Sequence, residues 1–147
     1  MKLVRFNARN YVFIISEEDR VMVLKEHWHG VDLNKLPGGG MELGEGMIEC
    51  LNREISEEFE LWTPLEYRHV YTPTHCFSSC FRPEEQLILN YFRSTEKVHE
   101  RSWLLRIDDN LLGLHWLPLS RQSALWFTLD TDREAFLSLL DQLEIED

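Results

Sequence analysis

The segment that most constrains the fold joins three consecutive glycines to a helix-forming stretch. Gly38–Gly40 precedes residues 46–60, whose apolar residues recur at the spacing of one helical face. These apolar residues are Met47, Ile48, Leu51, Ile55 and Phe59. We expect the glycines to break regular structure and the helix to follow. A glycine-rich loop that enters a helix allows backbone amides to approach an anion closely.

Three glutamates share a second face of this helix, because Glu54, Glu57 and Glu58 stand at positions i, i+3 and i+4. Adjacent carboxylates repel one another unless a cation compensates them. With Met47 at zero on a helical wheel, the apolar arc spans about 120° and Glu58 falls inside it at about 20°. A buried carboxylate is costly, and Mg²⁺ or Mn²⁺ with oxygen ligands would remove that cost. Taken alone, the glutamates are equally compatible with a solvated acidic face.

The segment from Gly39 to Leu61 resembles the Nudix box, Gly-x5-Glu-x7-Arg-Glu-(apolar)-x-Glu-Glu-x-Gly-(apolar). The matching positions are Gly39, Glu45, Arg53, Glu54, Ile55, Glu57, Glu58 and Leu61. The one departure is Glu60, which stands where the pattern has glycine. Because that glycine ends the helix in a left-handed conformation, Glu60 is expected to cost about 1–2 kcal/mol if the same geometry is kept. We expect activity to survive this departure.

The resemblance implies a fold and an activity. The expected fold is a Nudix-type α/β/α sandwich with a mixed β-sheet, formed as one domain by residues 1–147. The expected activity is metal-dependent hydrolysis of a pyrophosphate bond in a nucleoside diphosphate linked to another group. Since the signatures of several subfamilies are missing, a nucleoside triphosphate or a small nucleotide sugar is the default substrate.

The resemblance also assigns roles to residues of the box. Glu54, Glu57 and Glu58 would hold Mg²⁺ or Mn²⁺, and Glu57 is the first choice for the general base. Arg53 would orient a box glutamate, so that Glu57, Arg53 and Glu54 are the catalytic candidates. The backbone of Gly39–Gly40 would bind the substrate phosphates.

Candidates outside the box are weaker. In MutT-type members a glutamate precedes a tryptophan in a late strand, and His115 precedes Trp116 here. His115 is therefore a second candidate for the base, against the alternative of a histidine at the rim that packs or hydrogen-bonds. Glu84 and Glu85, just before a predicted strand, are candidate late ligands. One of the aromatic side chains is expected to stack on the base of the nucleotide, and the sequence does not say which.

The rest of the chain alternates predicted strands and helices. Residues 10–15 and 21–24 are predicted to form a hairpin across a polar turn. The other predicted elements are strands at 67–71, 86–92, 103–107 and 113–119, a short helix at 120–126 and an amphipathic helix at 132–143.

Composition narrows the class of partner. The formal net charge of -11 would repel a phosphate backbone, so long nucleic acid is not expected, while a small nucleotide bridged by a divalent cation is compatible. No run approaches the roughly 18 apolar residues of a membrane span. The first residues lack the apolar stretch of a signal peptide. We therefore expect a cytoplasmic protein without membrane contact, and the sequence leaves a homodimer open.

Cysteine usage fits the same compartment. Cys50, Cys76 and Cys80 are an odd, sparse set, which favours a reduced protein over a disulfide framework. A zinc site would need about four ligands at paired spacing. We expect three free thiols that are buried or half-buried.

Two other functional classes remain. A Nudix domain that senses a nucleotide without cleaving it would have the same fold, but such domains usually lose box glutamates. An acidic interaction module without a ligand would leave the glycine segment unexplained.

Overall fold

The structure is a computed structural model that describes residues 2–147. Its strands are β1 (Arg5–Phe13), β2 (Arg20–Trp28), β3 (Val31–Lys35), β4 (Gly38–Gly40), β5 (Phe59–Leu61), β6 (Tyr67–Tyr71), β7 (Phe77–Ser78), β8 (Glu85–Ser94), β9 (Leu104–Leu105) and β10 (Leu111–Pro118). Its α-helices are α1 (Met47–Glu58) and α2 (Asp130–Gln142), and two 3-10 helices lie at Glu100–Ser102 and Arg121–Trp126.

The C-terminal end of β1, together with Ile14 after it, is apolar on both faces and lies between the two helices. Val12 and Ile14 pack in one cluster with Ile55 of α1. Phe13, on the alternate face, packs in a second cluster with Phe136 of α2. Successive side chains of a strand point to opposite faces, so one strand serves both clusters. The predicted α/β/α sandwich is confirmed.

The main sheet is mixed, as predicted. Its order is β4-β1-β8-β6, with β7 also paired to β8. Strand β1 runs parallel to β8 and antiparallel to β4. A second sheet, with order β10-β2-β3, is antiparallel, and β5 pairs with β9.

The predicted hairpin of β1 and β2 is wrong. The two segments meet only around a bridge between Ile15 and Val21 and then diverge into different sheets. The physical reason is a longer pairing elsewhere, since all nine residues of β1 align with β8 from Glu85 to Arg93. Such a ladder satisfies more backbone groups than a short hairpin does.

The glycine segment was expected to interrupt regular structure, and it instead forms β4 against β1. The pairing of β4 with β1 begins at Pro37, just before β4. The Pro37 carbonyl accepts a hydrogen bond from the Val12 N–H at 3.0 Å. Gly38 has a φ of 135°, and a Cβ there would lie 2.1 Å from the carbonyl oxygen of Asn10. Glycine is therefore required because β1 and β4 approach so closely.

Helix α1 ends two residues before Glu60, and the expected cost at Glu60 does not arise. Phe59 leaves the helix with φ -119° and ψ 142°. Its ring is fully buried against Trp103, with centroids 5.1 Å apart, which directs the chain into β5. Glu60 is exposed in that strand and is not among the residues with positive φ.

Burial at the start of α1 and at two cysteines also differs from expectation. Met47 and Ile48 are largely exposed, because the helix packs on the sheet only from Cys50 onward. Cys50 is buried as expected, whereas Cys76 and Cys80 are exposed in the segment between β6 and β8. All three thiols are free.

The remaining elements follow the predictions with shifted ends. Strand β6 has the predicted bounds, and α2 begins two residues earlier than predicted. The predicted strand at 103–107 shrinks to β9, because the 3-10 helix Glu100–Ser102 and Trp103 precede it.

We expect Gly38→Ala to lower the free energy of unfolding by more than about 2 kcal/mol. Positive φ alone costs an L-residue about 1–2 kcal/mol, and the overlap with Asn10 adds to that cost. Urea denaturation measures the loss. The matched control is Gly44→Ala, because Gly44 has a φ of 89° but no neighbouring atom within 4 Å of a Cβ. Equal losses in the two variants would contradict the close approach of β1 and β4.

Candidate active site

A cavity of about 710 Å³ lies beside β4, between the sheet and the first turn of α2. This volume is within the range of about 300–1,000 Å³ that is typical of small-ligand sites. Glu54 and Glu58 line it from α1, and Gly38–Gly40 line it from β4. Arg53 and Glu57 lie next to these residues on α1 but are not part of the cavity wall.

Glu58 is the buried acid of the site. It is only 7% exposed, so the prediction that it falls inside the buried arc of the helix is confirmed. The Gly38 N–H donates a hydrogen bond to its Oε1 at 3.0 Å. Burial raises the pKa of Glu58 to about 8, although the charge of Lys35 and the Gly38 N–H oppose that rise.

Glu54 lies one helical turn earlier, with its carboxylate against Gly39. A Cβ on Gly39 would be 2.5 Å from Oε1 of Glu54, so only glycine leaves room for this carboxylate. Arg53 Nη1 donates to the same Oε1 at 3.1 Å. Burial raises the pKa of Glu54, and the Arg53 guanidinium opposes the shift.

Arg53 connects the helix to the segment that precedes it. Its Nη2 donates to Glu45 Oε1 at 2.7 Å and to the carbonyl oxygen of Gly40 at 2.8 Å. Hydrogen bonding to Arg53 lowers the pKa of Glu45 to about 2. Arg53 Nη1 also lies 3.3 Å from Glu57 Oε2, and the Glu57 side chain is 58% exposed. One guanidinium thus contacts three box carboxylates: those of Glu45, Glu54 and Glu57.

The acidic side chains beside the cavity supply oxygen donors of the kind that a hard divalent cation prefers. Across residues 2–147, no three histidine, cysteine or acidic side chains are already grouped for an ion, because Arg53 draws Glu54 and Glu57 toward itself. Within the same residues Glu58 forms no ion pair, since the nearby Lys35 pairs with Glu26. A buried carboxylate without an ion-pair partner, beside a second buried carboxylate, fits a hard cation that prefers oxygen ligands.

A protein-family model described as the NUDIX domain matches residues 5–137. The chain belongs to the NUDIX family. The match confirms that the resemblance of residues 39–61 to the Nudix box reflects family membership. It also confirms the prediction that the protein is a pyrophosphohydrolase.

Solved structures of Nudix proteins have the same fold. The MutT protein of Methanosarcina mazei Go1 superposes with a TM-score of 0.73 at 18% identity, over 99% of both chains. The ORF135 protein of E. coli has a TM-score of 0.69 at 16% identity, over 98% of this chain and 96% of its own. A bifunctional NMN adenylyltransferase/ADP ribose pyrophosphatase from Francisella tularensis has a TM-score of 0.66 at 16% identity, over 93% of this chain and 41% of its own. No curated protein sequence matches the chain.

The structure does not bring His115 to the cavity of this Nudix protein. His115 is exposed on β10, and its ring lies 5.5 Å from that of Trp126. The geometry therefore favours the alternative of a packing histidine at the rim. Glu85 does line the cavity, but hydrogen bonds from Arg5 and Asn7 occupy its carboxylate and lower its pKa.

Sequence reasoning missed the ion pair of Glu26 and Lys35. Lys35 Nζ lies 3.0 Å from Glu26 Oε2, both side chains are largely buried, and both line the cavity. The available signal was alternation along β2, because Glu26 follows Met22 and Leu24 on the face that otherwise enters the core.

Aromatic side chains line part of the cavity. Those in the wall are Phe6, Tyr11, Trp28, Phe77, Phe81 and Tyr91. At the mouth, the His29 ring lies 4.8 Å from Trp28 and 5.6 Å from Phe81, so the β2–β3 turn contacts the loop before β8. The aromatic side chains of Trp116, Trp126 and Phe127 do not line the cavity.

No helix within residues 2–147 has the length and apolar character needed to cross a membrane.

We expect stability to depend on pH through Asp132, in the first turn of α2. Asp132 is 3% exposed, the Tyr91 hydroxyl donates to it at 2.6 Å, and burial raises its pKa to about 6. Because this pKa lies above the unfolded value, the proton-linked stability is fully present below about pH 4 and is lost as the pH rises through about 6. Relative to Asp132→Asn, the wild-type protein should lose about 2–3 kcal/mol between about pH 4 and pH 7.

Urea titrations of both proteins across this pH range measure that difference. Parallel stability curves would contradict the assignment of the shift to Asp132.

Proposed function

We propose that this Nudix protein hydrolyses a pyrophosphate bond in a nucleoside diphosphate linked to another group. The default substrates are a nucleoside triphosphate and a small nucleotide sugar. The proposal rests on Glu58, which lies in the wall of a cavity of nucleotide size. Its carboxylate is buried and has no ion pair in the described residues. The Francisella protein of the same fold is named as an ADP ribose pyrophosphatase, which is compatible with this substrate class.

Glu54, Glu57 and Glu58 are the proposed ligands for Mg²⁺ or Mn²⁺. When bound, the ion would neutralise the diphosphate and lower the pKa of the attacking water. Glu54 and Glu58 face the cavity from successive turns of α1, and Glu57 lies between them in sequence on the solvent side.

Glu57 is the proposed general base. It is the most exposed of the three carboxylates, so water reaches it while Glu54 and Glu58 are enclosed. Arg53, whose guanidinium lies 3.1 Å from Glu54 and 3.3 Å from Glu57, would hold the orientation of both side chains. The backbone of Gly39–Gly40 would contact the phosphates, since β4 lines the cavity without side chains.

The base of the nucleotide is proposed to stack at the mouth of the cavity. Trp28, Phe77 and Phe81 lie there on two different segments, and Trp28 is 37% exposed. Aromatic rings stack on any base, because every base has a π-face. This arrangement supports a nucleotide substrate without selecting the base.

A cytoplasmic location remains a prediction from cysteine usage.

The test is turnover of a panel of nucleoside triphosphates and nucleotide sugars with Mg²⁺ or Mn²⁺. We expect Glu57→Gln and Glu58→Gln each to lower kcat by about 100-fold or more, because removal of a general base costs about 10²–10⁴-fold and Glu58 would hold the ion. The measurement is phosphate or nucleotide release under steady-state conditions.

The matched control is Glu60→Gln, which removes the same charge two residues from Glu58 at an exposed position. It should leave kcat unchanged. Wild-type protein that turns over no member of the panel, or full activity in both box variants, would contradict the proposal. Binding of a nucleotide without turnover would support the nucleotide-sensing alternative instead.

A further inference from the structure

Arg9 lies in the cavity wall at the end where β4 leaves the sheet. In the register of β1 and β4, Arg9 is opposite Gly40. A Cβ built on Gly40 would be 3.4 Å from Arg9 Nη1, so the guanidinium lies directly over this glycine. Gly40 is also the residue whose carbonyl oxygen accepts a hydrogen bond from Arg53. Arg9 therefore adjoins the box without belonging to it.

The guanidinium is oriented by one hydrogen bond and, within the described residues, makes no direct contact with a carboxylate. Its Nε donates to the Tyr11 hydroxyl at 2.6 Å, and Tyr11 stacks on Tyr91 with ring centroids 5.6 Å apart. Within residues 2–147, Arg9 forms no ion pair with a carboxylate, and its two Nη atoms donate to no acceptor of the protein. Tyr11 thus holds the guanidinium in place with both Nη atoms free.

The other cations of the cavity are already paired. Lys35 pairs with Glu26, and Arg82 lies 3.7 Å from Glu85. The charges of Glu54 and Glu26 act on Arg9 only from a distance, so its two Nη atoms have lost hydration without gaining a hydrogen-bond partner in the described residues. The planar guanidinium matches a phosphate in a two-bond arrangement, and a pre-oriented guanidinium loses little entropy on binding.

We propose that Arg9 binds a phosphate group of the ligand through both Nη atoms, at the Gly40 end of the cavity. The ligand class is a diphosphate: one phosphate lies against Arg9, and the other is directed toward the divalent cation that Glu54 and Glu58 would hold. Tyr11 is the positioning residue for this contact. The role in catalysis and the bound cation rest on the proposed function, whereas the contact between Arg9 and a phosphate does not.

The test uses inorganic pyrophosphate and isothermal titration calorimetry in buffer with Mg²⁺, on the full-length protein. Arg9→Gln should weaken binding by about 10- to 100-fold, the range expected for a charged hydrogen-bonded contact. Arg9→Lys should restore part of the affinity, because it keeps the charge but not the two-bond geometry. Tyr11→Phe should weaken binding by a smaller factor, since only the orientation of Arg9 is lost.

The matched control is Arg101→Gln, which removes one positive charge from an exposed position in the 3-10 helix, outside the cavity wall. It should bind pyrophosphate like the wild type. Urea denaturation of all variants separates loss of binding from loss of folding. If wild-type protein does not bind pyrophosphate, or if Arg9→Gln binds as tightly as wild type, the proposal is overturned.

Steady-state kinetics on a substrate from the panel separate this proposal from the proposed function. Arg9→Gln and Tyr11→Phe should raise KM more than they lower kcat, because the contact is made with the bound substrate. If the wild-type protein turns over nothing but Arg9→Gln still loses pyrophosphate affinity, the hydrolase proposal fails and the diphosphate site stands. An unchanged KM in Arg9→Gln, with active wild-type protein, would overturn the role of Arg9 alone.

Discussion

The site depends on the close approach of helix α1 to the glycine strand β4. Glu54 packs its carboxylate on Gly39, at a distance that a single methyl group would close. Glu58 accepts a hydrogen bond from the Gly38 N–H, one turn later on the same helical face. Arg53 donates to the carbonyl oxygen of Gly40. Each glycine of β4 therefore meets a different box side chain, and the charged face of α1 is attached to the sheet through backbone atoms.

This packing explains why acids accumulate beside a cavity. The approach to β4 removes Glu54 and Glu58 from water and raises the pKa of each, because burial penalises the charged carboxylate. Arg53 pairs with Glu45, Glu54 and Glu57, and Glu58 is left without an ion pair in the described residues. Glu58 is therefore the carboxyl group whose charged form depends most on a bound cation.

Much of this arrangement could be predicted from the sequence because it is local. Helical spacing alone placed Glu58 inside the buried arc, and the spacing of the box identified the acids that share a face. The fate of Glu60 could not be predicted, since it depends on the burial of Phe59 against Trp103, a residue far away in sequence. The strand conformation of Gly38–Gly40 could not be predicted for a similar reason, because it comes from pairing with the distant strand β1.

The residues that strand pairing brings to the site could also not be predicted from the sequence. Strand pairing places three residues from outside the box in the same cavity wall as box residues: Arg9, Glu26 and Lys35. The pairs responsible are β1 with β4 and β2 with β3. The pairing of β1 with β8 rather than with β2 decides which side chains face the cavity. Alternation along β2 indicated an acid on the inward face, but no local pattern indicates what lies opposite it.

We infer that the buried Glu58 carboxylate binds a divalent cation together with Glu54 and Glu57. The most direct measurement is anomalous diffraction from crystals soaked in Mn²⁺, for the wild-type protein and for Glu58→Gln. We expect an Mn²⁺ peak beside Glu58 and Glu54 in the wild type, with Glu54 turned away from Arg53, and a lost or much weakened peak in the variant. An Mn²⁺ ion bound away from these three glutamates, or one that keeps full occupancy without the Glu58 carboxylate, would contradict it.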